Sequence, residues 1–427
     1  MPKNVKVSFL GASHEVGRSG FLVDSGDKLL LDYGVKFGLN NAIEYPLPVK
    51  TNLDAIILSH AHLDHSGFIP NLFVDSSALT YLTPPSFGLS NLLWEDSLKI
   101  AGHNGTHAGF TEEELFRLRR YCFQVGYKKR LNVSKDWTME FFDAGHILGS
   151  SLTKLTYKKE HSLLYTGDFN SAETRLHAGA DLKVGKVDTV MIESTYGNRN
   201  HPPRKELEKV FFQEVQDIID RGGWALIPAF AVGRGQEILM ILDDFGINAD
   251  VYYDGMGKTA AQIMLDNPSY LKDPSALKKA LRKTIVVQSA KMRKQALKKP
   301  SVIVASAGMM QGGPILFYTQ KLCNDKNSKV FFTGYQVEKT IGRTLLDHKK
   351  LVVDGVLYDS QLEVEKFDFS AHAQKDDLVK SLKKWNPEKI FLVHGDLDIM
   401  DAFKETLRGQ GFNKIEAPKQ GETKQLF

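Results

Sequence analysis

The sequence predicts an α/β protein in which an α/β region interrupts a β-rich one. Three observations along the 427 residues support this prediction. Short apolar runs bounded by Gly, Asp and Ser fill roughly the first 195 residues, and this punctuation is typical of hairpins and meanders. From Arg204 onward, amphipathic helices alternate with strands, which predicts a parallel sheet. After about residue 345, strands return with one helix between them.

Local patterns predict the individual elements. The N-terminal region opens with the strand-like runs "VKVSFLGA", "GFLVDS" and "KLLLDYG", and continues with "TMEFFDAGH" and "SLTKLTYKKEHSLLYTGDF", in which polar "KKEH" turns one strand into the next. A helix is predicted at "RKELEKVFFQEVQDIIDRG", because apolar residues recur at spacings of three and four and a glycine closes it. Strands follow at "WALIPAF", "ADVYYDG", "SVIVASAG" and "KVFFTGY", and their loops should gather at the carboxyl edge of the sheet. The last predicted strands are "LVVDGVLYD", "LEVEKFDFSAH" and "KIFLVHG".

Length and composition restrict the class of protein. A chain of 427 residues exceeds what one hydrophobic core normally serves, so two domains are expected. The sequence has neither a membrane-length apolar run nor a signal-peptide layout at its N-terminus, and it predicts a cytoplasmic protein. Cys122 and Cys323 lie far apart without a CxxC partner, which favours a reducing compartment and argues against a thiolate metal site.

One segment is strongly basic, although the net charge of +4 says little about partners. Between Ser275 and Pro300, "SALKKALRKTIVVQSAKMRKQALKKP" carries nine Lys or Arg residues and no acidic residue. Two interpretations stay open. The segment is either a solvated surface or an electrostatic track for a polyanion such as nucleic acid.

The stretch "LSHAHLDHSG" crowds metal-binding side chains directly after the apolar run "DAIIL". His60, His62, Asp64 and His65 occupy six consecutive positions where a buried strand should run out into a loop. A lone histidine is more often a solvated side chain than a ligand. Four donors on one short loop can reach a small volume from two sides, and imidazole with carboxylate suits zinc. This spacing therefore predicts a metal site.

Further donors follow other predicted strands. Asp32 follows "KLLL", His146 follows "EFFDAG", Asp168 follows "LLYTG" and His394 follows "KIFLV", each with a glycine within two residues. Taken singly, each is more typical of a cap or a turn, but their common placement indicates one shared rim. Five histidines with two or three carboxylates exceed the ligands of one tetrahedral zinc, so the sequence predicts two metals with an open position.

These residues carry a resemblance to a known family. "HAHLDH", with "LLLDYG" before it and "DAGHILGS" and "YTGDF" after it, resembles the metallo-β-lactamase superfamily. "MIESTYGNR", "FSAHA" and "FLVHG" are similar to the three extra motifs of the β-CASP nucleases. The segments "IPAFAVGRGQE", "DGMGKTAA", "ASAGMMQGGP" and "TGYQVEKTIGR" resemble the inserted domain of the cleavage and polyadenylation specificity factor nucleases, above all their short archaeal and bacterial relatives.

The resemblance covers nearly the whole chain and implies its architecture. Residues 1–197 and 346–427 would form a discontinuous catalytic domain, an αββα metallo-β-lactamase sandwich. Residues 198–345 would form an inserted α/β β-CASP domain with a mainly parallel sheet, which would fold across the catalytic domain as a cover.

The resemblance also implies a role for each donor. Two Zn²⁺ ions per chain are expected, the first held by His60, His62 and His146 and the second by Asp64, His65 and His394, with Asp168 bridging both. The expected catalytic set is Asp64, the ligand-orienting carboxylate Asp32, the general acid His372 and its partner Glu193. Cleavage would leave 5′-phosphate and 3′-hydroxyl ends.

The implied activity is zinc-dependent hydrolysis of phosphodiester bonds in single-stranded RNA, for RNA processing or decay. Endonucleolytic cutting is favoured, with 5′-to-3′ trimming in addition, and the enzyme would act as a homodimer or within an RNA-processing complex. RNA contacts are expected from two loops of the insert and from its basic segment, at Arg234, Lys258, Ser306, Lys278, Lys279, Arg282, Lys291 and Arg293. For the loops, tight turns at strand ends are an equally good interpretation.

Two other activities stay open. A DNA-directed β-CASP nuclease is the nearer one, but that branch tends to lack histidine in the third extra motif, so His394 in "LVHG" favours RNA. A small-molecule ester or thioester hydrolase of the same superfamily would not need the insert. A non-catalytic scaffold would be expected to have lost ligands, and this sequence keeps all of them.

Overall fold

The computed structural model describes residues 5–38, 42–353 and 355–427, and these form two compact units. The first unit comprises Met1–Glu173, Gly179–Asn200 and Ala371–Phe427, and the second comprises Thr174–Ala178 and His201–Ser370. Within the described ranges, no helix has both the length and the apolar character needed to cross a membrane.

Strands dominate the N-terminal part of the first unit. In chain order they are β1 Lys6–Phe9, β2 Gly20–Asp24, β3 Lys28–Tyr33, β4 Lys36–Phe37, β5 Ile43–Glu44, β6 Ala55–Ile57, β7 Leu79–Leu82, β8 Cys122–Gln124, β9 Leu131–Asn132, β10 Trp137–Asp143, β11 Ser151–Tyr157, β12 His161–Tyr165 and β13 Thr189–Glu193. The helices in this part are α1 Leu63–Ser66, α2 Pro84–Asn104 and α3 Glu112–Tyr121, with a 3₁₀ helix at Ile69–Val74.

The second unit follows. Its strands are β14 Ala225–Pro228, β15 Val251–Asp254, β16 Ile285–Val286, β17 Val302–Ala305, β18 Lys329–Phe332, β19 Lys350–Val353, β20 Val356–Asp359 and β21 Glu363–Lys366. Its helices are α4 Arg204–Asp220, α5 Arg234–Phe245, α6 Gly257–Asp266, α7 Pro274–Lys283, α8 Ala290–Ala296, α9 Pro314–Leu322 and α10 Ile341–His348, with a 3₁₀ helix at Pro268–Tyr270. The chain then returns to the first unit with α11 Lys375–Trp385, β22 Lys389–Val393, α12 Leu397–Gly409, β23 Ile415–Glu416 and β24 Thr423–Gln425.

Two sheets of seven strands form the centre of the first unit in the part of the chain that is described. One has the order β24-β1-β2-β3-β6-β7-β8 and the other β23-β22-β13-β12-β11-β10-β9. The strands alternate buried and less buried residues, as in β10, because one side of each strand faces the partner sheet. Phe21 and Leu31 of one sheet pack with Phe141 of the other in a shared core, where full burial of a Phe or Leu side chain contributes about 1.5–3 kcal/mol.

Helices cover the outer faces of both sheets. Trp94 of α2 and Leu118 of α3 pack with Leu30 of the first sheet. On the second sheet, Leu382 of α11 and Phe403 of α12 belong to one cluster together with buried sheet residues. The result is an αββα sandwich, which confirms the architecture that the resemblance implied.

The second unit is built on a parallel sheet of order β16-β15-β17-β14-β18-β21. This confirms the mainly parallel sheet. The inner strands β14, β17 and β18 are buried along their length because helices flank the sheet, so they read as largely apolar runs. This unit extends to Ser370, past the expected bound at residue 345, because β21 pairs with β18. Asp354, within the predicted strand "LVVDGVLYD", lies outside the described residues; on either side of it, β19 and β20 pair as a hairpin.

Candidate metal centre

The histidine-rich loop lies at the end of β6, as the sequence predicted. His60 follows the strand, His62 is the residue before α1, and Asp64 and His65 belong to that short helix. His60 and His65 are buried, whereas 31% of the Asp64 side chain is exposed. Gly34 allows the helix to lie this close, because a Cβ there would stand 1.9 Å from the carbonyl oxygen of Asp64. The close packing against Gly34 therefore holds the donor-bearing loop in place.

A first group of donors consists of His60, His62, His146 and Asp168. The distance from His62 Nδ1 is 3.2 Å to His60 Nε2 and 3.1 Å to His146 Nε2. Asp168 Oδ2 lies 3.6 Å from His60 Nε2 and 3.8 Å from His146 Nε2. The four donor atoms thus surround one small volume.

A second group consists of Asp64, His65, His394 and, again, Asp168. His65 Nε2 is 3.3 Å from Asp168 Oδ2, and His394 Nε2 is 3.3 Å from Asp64 Oδ2. Asp168 Oδ1 lies 3.1 Å from His394 Nδ1 without hydrogen-bonding geometry, so this buried oxygen has no hydrogen-bond partner. Asp168 is the only residue common to both groups among the described residues, and the resemblance had implied that it would bridge two metals.

The outer nitrogens of three histidines are held by the protein. His146 Nδ1 donates to the carbonyl oxygen of Ala371 at 2.8 Å, His65 Nδ1 lies 2.7 Å from Asp32 Oδ2, and His60 Nδ1 lies 3.1 Å from Ser59 Oγ. Such contacts fix the ring orientation and leave Nε2 for a metal. The rings are therefore pre-oriented.

These donors fit zinc. A tetrahedral zinc with Zn–N distances of 2.0–2.1 Å separates its ligand nitrogens by about 3.3 Å. The observed separations of 3.1 and 3.2 Å around His62 are close to that value. The buried Asp168 oxygen without a hydrogen-bond partner is the kind of atom that a cation would satisfy.

Electrostatics divide the histidines into two kinds. Burial lowers the pKa of His60 well below the usual value, and the neighbouring His65 lowers it further. Burial and the neighbouring His372 lower the pKa of His146 in the same way, so both histidines are neutral at pH 7. Burial would also lower the pKa of His65, but Asp168 and Asp64 raise it well above that value. Metal binding at His65 would therefore release a proton.

The two carboxylates are ionised. Burial raises the pKa of Asp168, but His394 and His65 together lower it well below its usual range. The pKa of Asp64 is also lowered, because His65 and His394 outweigh burial. Negative charge is thus retained where a cation would bind.

Asp32 lies inside β3 at a β-bulge, not after the strand as the sequence suggested. Gly20 pairs with Tyr33 and Phe21 with Leu31, so Asp32 is the extra residue, and its φ of 54° turns the side chain toward the site. Its carboxylate accepts hydrogen bonds from Ser59 N at 2.7 Å, Ser59 Oγ at 2.6 Å and Tyr165 Oη at 2.6 Å, and contacts His65 Nδ1. The carboxylate thereby fixes His65 and the start of the histidine-rich loop.

Replacing Asp32 by asparagine should lower metal affinity about 10- to 100-fold, the usual cost of losing a carboxylate that orients a metal-binding histidine. Competition with a zinc chelator measures this. Asp188→Asn is the matched control, because Asp188 likewise accepts from a serine backbone N and hydroxyl, those of Ser162, at 2.8 and 2.7 Å. Equal zinc affinity in the Asp32 variant and the wild type would contradict this assignment.

Glu193 and His372 form a pair beside the donors. His372 Nδ1 lies 2.9 Å from Glu193 Oε2 and 3.1 Å from Oε1. Burial would lower the pKa of His372, but Glu193 and then Asp168 raise it to about 9. The backbone fixes the pair, since Phe169 N donates to Glu193 Oε1 at 2.9 Å and Ala373 N donates to the carbonyl oxygen of Phe169 at 2.7 Å.

Sequence patterns did not reveal several contributors. Ser59 and Tyr165 hold Asp32, and neither residue type signals that role by its position. The loop "GASHEV" supports His394, whose backbone N donates to the carbonyl oxygen of Ala12 at 2.8 Å, while Gly395 N donates to that of Glu15 at 3.1 Å. Ala12 and His14 in this loop have left-handed backbone conformations, with φ of 51° and 62°. Their residue types do not indicate this conformation, so the sequence could not reveal the loop's role.

In the second unit, the residues expected at the RNA surface divide into two sets. Arg234 was expected to contact RNA at the surface, but its side chain is buried and paired with Glu237. Arg293 binds the buried Asp254 at 2.7 Å, and Lys258 donates to the carbonyl oxygen of Val287. These three side chains have structural partners within the unit.

The remaining members are placed differently. Lys279 lies on α7 and is paired with Asp243 at 3.2 Å, whereas Ser306 is half-buried in the loop after β17. Lys278, Arg282 and Lys291 are exposed. Some cations of the basic segment therefore pair with acidic residues of the same unit and others face solvent, and both interpretations of the segment stay open.

Three family models match the chain. A metallo-beta-lactamase superfamily domain matches residues 21–196, a Beta-Casp domain matches residues 235–345, and a Zn-dependent metallo-hydrolase RNA specificity domain matches residues 358–418. The last of these spans His372 and His394.

Curated relatives extend over nearly the full length. "Probable RNase MJ4" of Methanocaldococcus jannaschii is 38% identical, over 98% of this chain and 99% of the relative. "RNase aCSPSF2" of Saccharolobus solfataricus is 34% identical, over 98% and 85%. "Transcription termination factor FttA" of Methanosarcina mazei is 33% identical, over 92% and 67%. Among solved structures, a protein of unknown function from Enterococcus faecalis V583 shares the fold, with a TM-score of 0.62 at 14% identity over 98% of this chain and 99% of that one.

Proposed function

This chain belongs to the metallo-β-lactamase superfamily, in its Beta-Casp branch, and on that basis we propose that it cuts single-stranded RNA internally at a centre of two zinc ions. The chain is a metal-dependent nuclease that processes RNA. The proposal adds the number of metals, the ligands of each, the strandedness of the RNA and the endonucleolytic mode.

One observation carries the proposal: two donor groups share Asp168, and a histidine–glutamate pair lies beside them. His60, His62 and His146 would hold one zinc ion, and Asp64, His65 and His394 the other, with Asp168 between them. When bound, zinc ions in such a centre lower the pKa of coordinated water to about 7 and polarise a phosphodiester.

The chain's own residues then handle the leaving group. Glu193 binds Nδ1 of His372 and keeps a proton there, which directs Nε2 to the substrate as the atom that donates. With a pKa of about 9, His372 is protonated at pH 7. It would give this proton to the departing 3′ oxygen, leaving a 3′-hydroxyl on one product and a 5′-phosphate on the other.

RNA, not DNA, is the proposed substrate. The RNA specificity domain model spans both His372 and His394, and two of the relatives are named as RNases. Two-metal centres also act on DNA and on small esters, so the test must include those substrates. The cytoplasmic location and the homodimer or RNA-processing complex stay predictions.

The decisive experiment compares end-labelled linear RNA with a 5′-phosphate or a 5′-hydroxyl, circular single-stranded RNA, the same sequence in a hairpin stem, and the DNA equivalent. Cleavage of the circle and of linear RNA with either 5′ end, with the stem and DNA resistant, is the expected outcome. Degradation of linear RNA alone, from its 5′ end, would replace endonuclease by exonuclease. Preferential cutting of DNA would overturn the choice of substrate.

A further inference from the structure

Exposed aromatic residues lie at the carboxyl edge of the parallel sheet in the second unit. Phe230 follows β14, Tyr335 follows β18 and Lys366 ends β21, and these three strands are neighbours in the order β14-β18-β21. Adjacent strands lie about 4.8 Å apart, so the three side chains follow one another along the edge. Ligands of open α/β sheets bind at this edge.

Phe230 is seated on glycines. The ring lies over Gly308 and Gly334, where an added Cβ would stand 3.0 Å and 3.1 Å from ring atoms. A side chain at either position would require the ring to shift by a few tenths of an ångström. Gly308 and Gly334 therefore support the ring but leave 37% of Phe230 exposed.

Tyr335, the residue after Gly334, presents a second exposed ring. It is 49% exposed, and the Lys366 ammonium lies 5.4 Å from its ring centroid. The next residue, Gln336, is buried, and its side-chain amide donates to the carbonyl oxygen of Gly308 at 3.1 Å. The loop that carries Tyr335 is thereby tied to the loop that seats Phe230.

A cation lies against one of the rings. The Lys366 ammonium lies over the Tyr335 ring, whereas Arg343, which is also near Tyr335, is paired with Asp347. Rigid exposed rings beside cations are what proteins use to bind single-stranded nucleic acid, with bases stacked on the rings and phosphates near the cations.

We propose that Phe230 and Tyr335 form a stacking site for unpaired nucleobases of the substrate, with Lys366 as the adjoining cation. This inference rests on the proposed function and adds a base-binding subsite to it. Stacking accepts any base, because every base has a π-face, and it excludes a base that is paired within a duplex. The site would therefore select single strands without reading their sequence.

The test measures binding by fluorescence anisotropy with 12-nucleotide oligo(A) and with an abasic oligomer of equal length. His372→Ala serves as the background, so that the RNA stays intact. Phe230→Ala and Tyr335→Ala should each weaken binding of oligo(A) about 5- to 150-fold, the effect of losing one stacked base. Binding of the abasic oligomer should not change, and neither should the dependence of the oligo(A) dissociation constant on salt, because no phosphate contact is removed.

Two variants serve as controls. Tyr335→Phe keeps the ring and should bind oligo(A) as the parent does. Phe116→Ala removes an aromatic ring that is 60% exposed on α3 of the first unit, and it should have no effect. Circular dichroism melts of each variant show whether the fold is kept.

Several outcomes would overturn the stacking site. These are unchanged oligo(A) binding in both alanine variants, an equal loss with the abasic oligomer, or an equal loss in Tyr335→Phe. If the wild-type enzyme still cleaves RNA in those cases, the proposed function stands and the subsite alone is wrong. If the wild type neither binds nor cleaves any RNA, the proposed function fails and the subsite with it.

Discussion

Replacing Asp168 by alanine should reduce RNA cleavage by more than about 10⁴-fold, beyond the 10²–10⁴-fold that loss of one acid–base group costs. Asp168 is buried and belongs to both donor groups, so the substitution removes a candidate ligand from each. The histidines would also lose the charge that balances a cation, because Asp168 is ionised. Elemental analysis of the purified variant should therefore show well below the metal content of the wild type.

A matched control separates this effect from a change in folding. Asp188→Ala removes a partly buried carboxylate at the opposite end of the same sheet, next to the start of β13. It should retain both metal and activity. An Asp168 variant with full metal content and wild-type cleavage would exclude the shared-ligand arrangement.

Replacing His372 by alanine should slow cleavage about 10²–10⁴-fold without changing the metal content. The reason is geometric: His372 belongs neither to the donor group of His60, His62 and His146 nor to that of Asp64, His65 and His394. Metal analysis and single-turnover rates on the same preparation measure the two effects separately. Loss of zinc to the extent seen in His65→Ala would make His372 a ligand, not an acid.

The pH dependence gives a second readout of the same pair. A general acid works only when it is protonated, so the rate should fall as pH rises through the pKa of His372, about 9. Glu193→Gln removes the nearest charge that raises this pKa, so the alkaline fall should move to lower pH. An alkaline limb that stays in place in Glu193→Gln would show that another group controls it.

Several candidate ligands could be predicted from sequence because each follows the end of a strand beside a glycine, and parallel strands bring such ends to one edge. His146, Asp168 and His394 were identified in this way, and the structure brings them together. The contacts of Asp32 could not be predicted. They depend on a bulge that shifts the register of β3 by one residue, and no local pattern in "LLLDYG" marks it.

The basic residues show a different limit of sequence reasoning. Within their own segments, Arg234 and Arg293 look like exposed cations. In the structure, Arg234 is buried and paired with Glu237, and Arg293 is paired with Asp254. Asp254 comes from a strand about 40 residues earlier in the chain, and such distant pairing leaves no periodic trace. The end of the second unit was obscured in the same way, because the pairing of β21 with β18 decides it.

The position of β22 beside β13 has a consequence for synthesis of the protein. The chain between Glu193 and Lys389 contributes most of the second unit, so the strand that carries His394 joins its sheet late. At roughly 5–20 residues per second, a ribosome needs on the order of ten seconds or more to pass from Asp168 to His394. During that time the nascent chain lacks His394 as a donor for the second group. The second donor group is therefore completed only after the ribosome has translated the whole of the second unit.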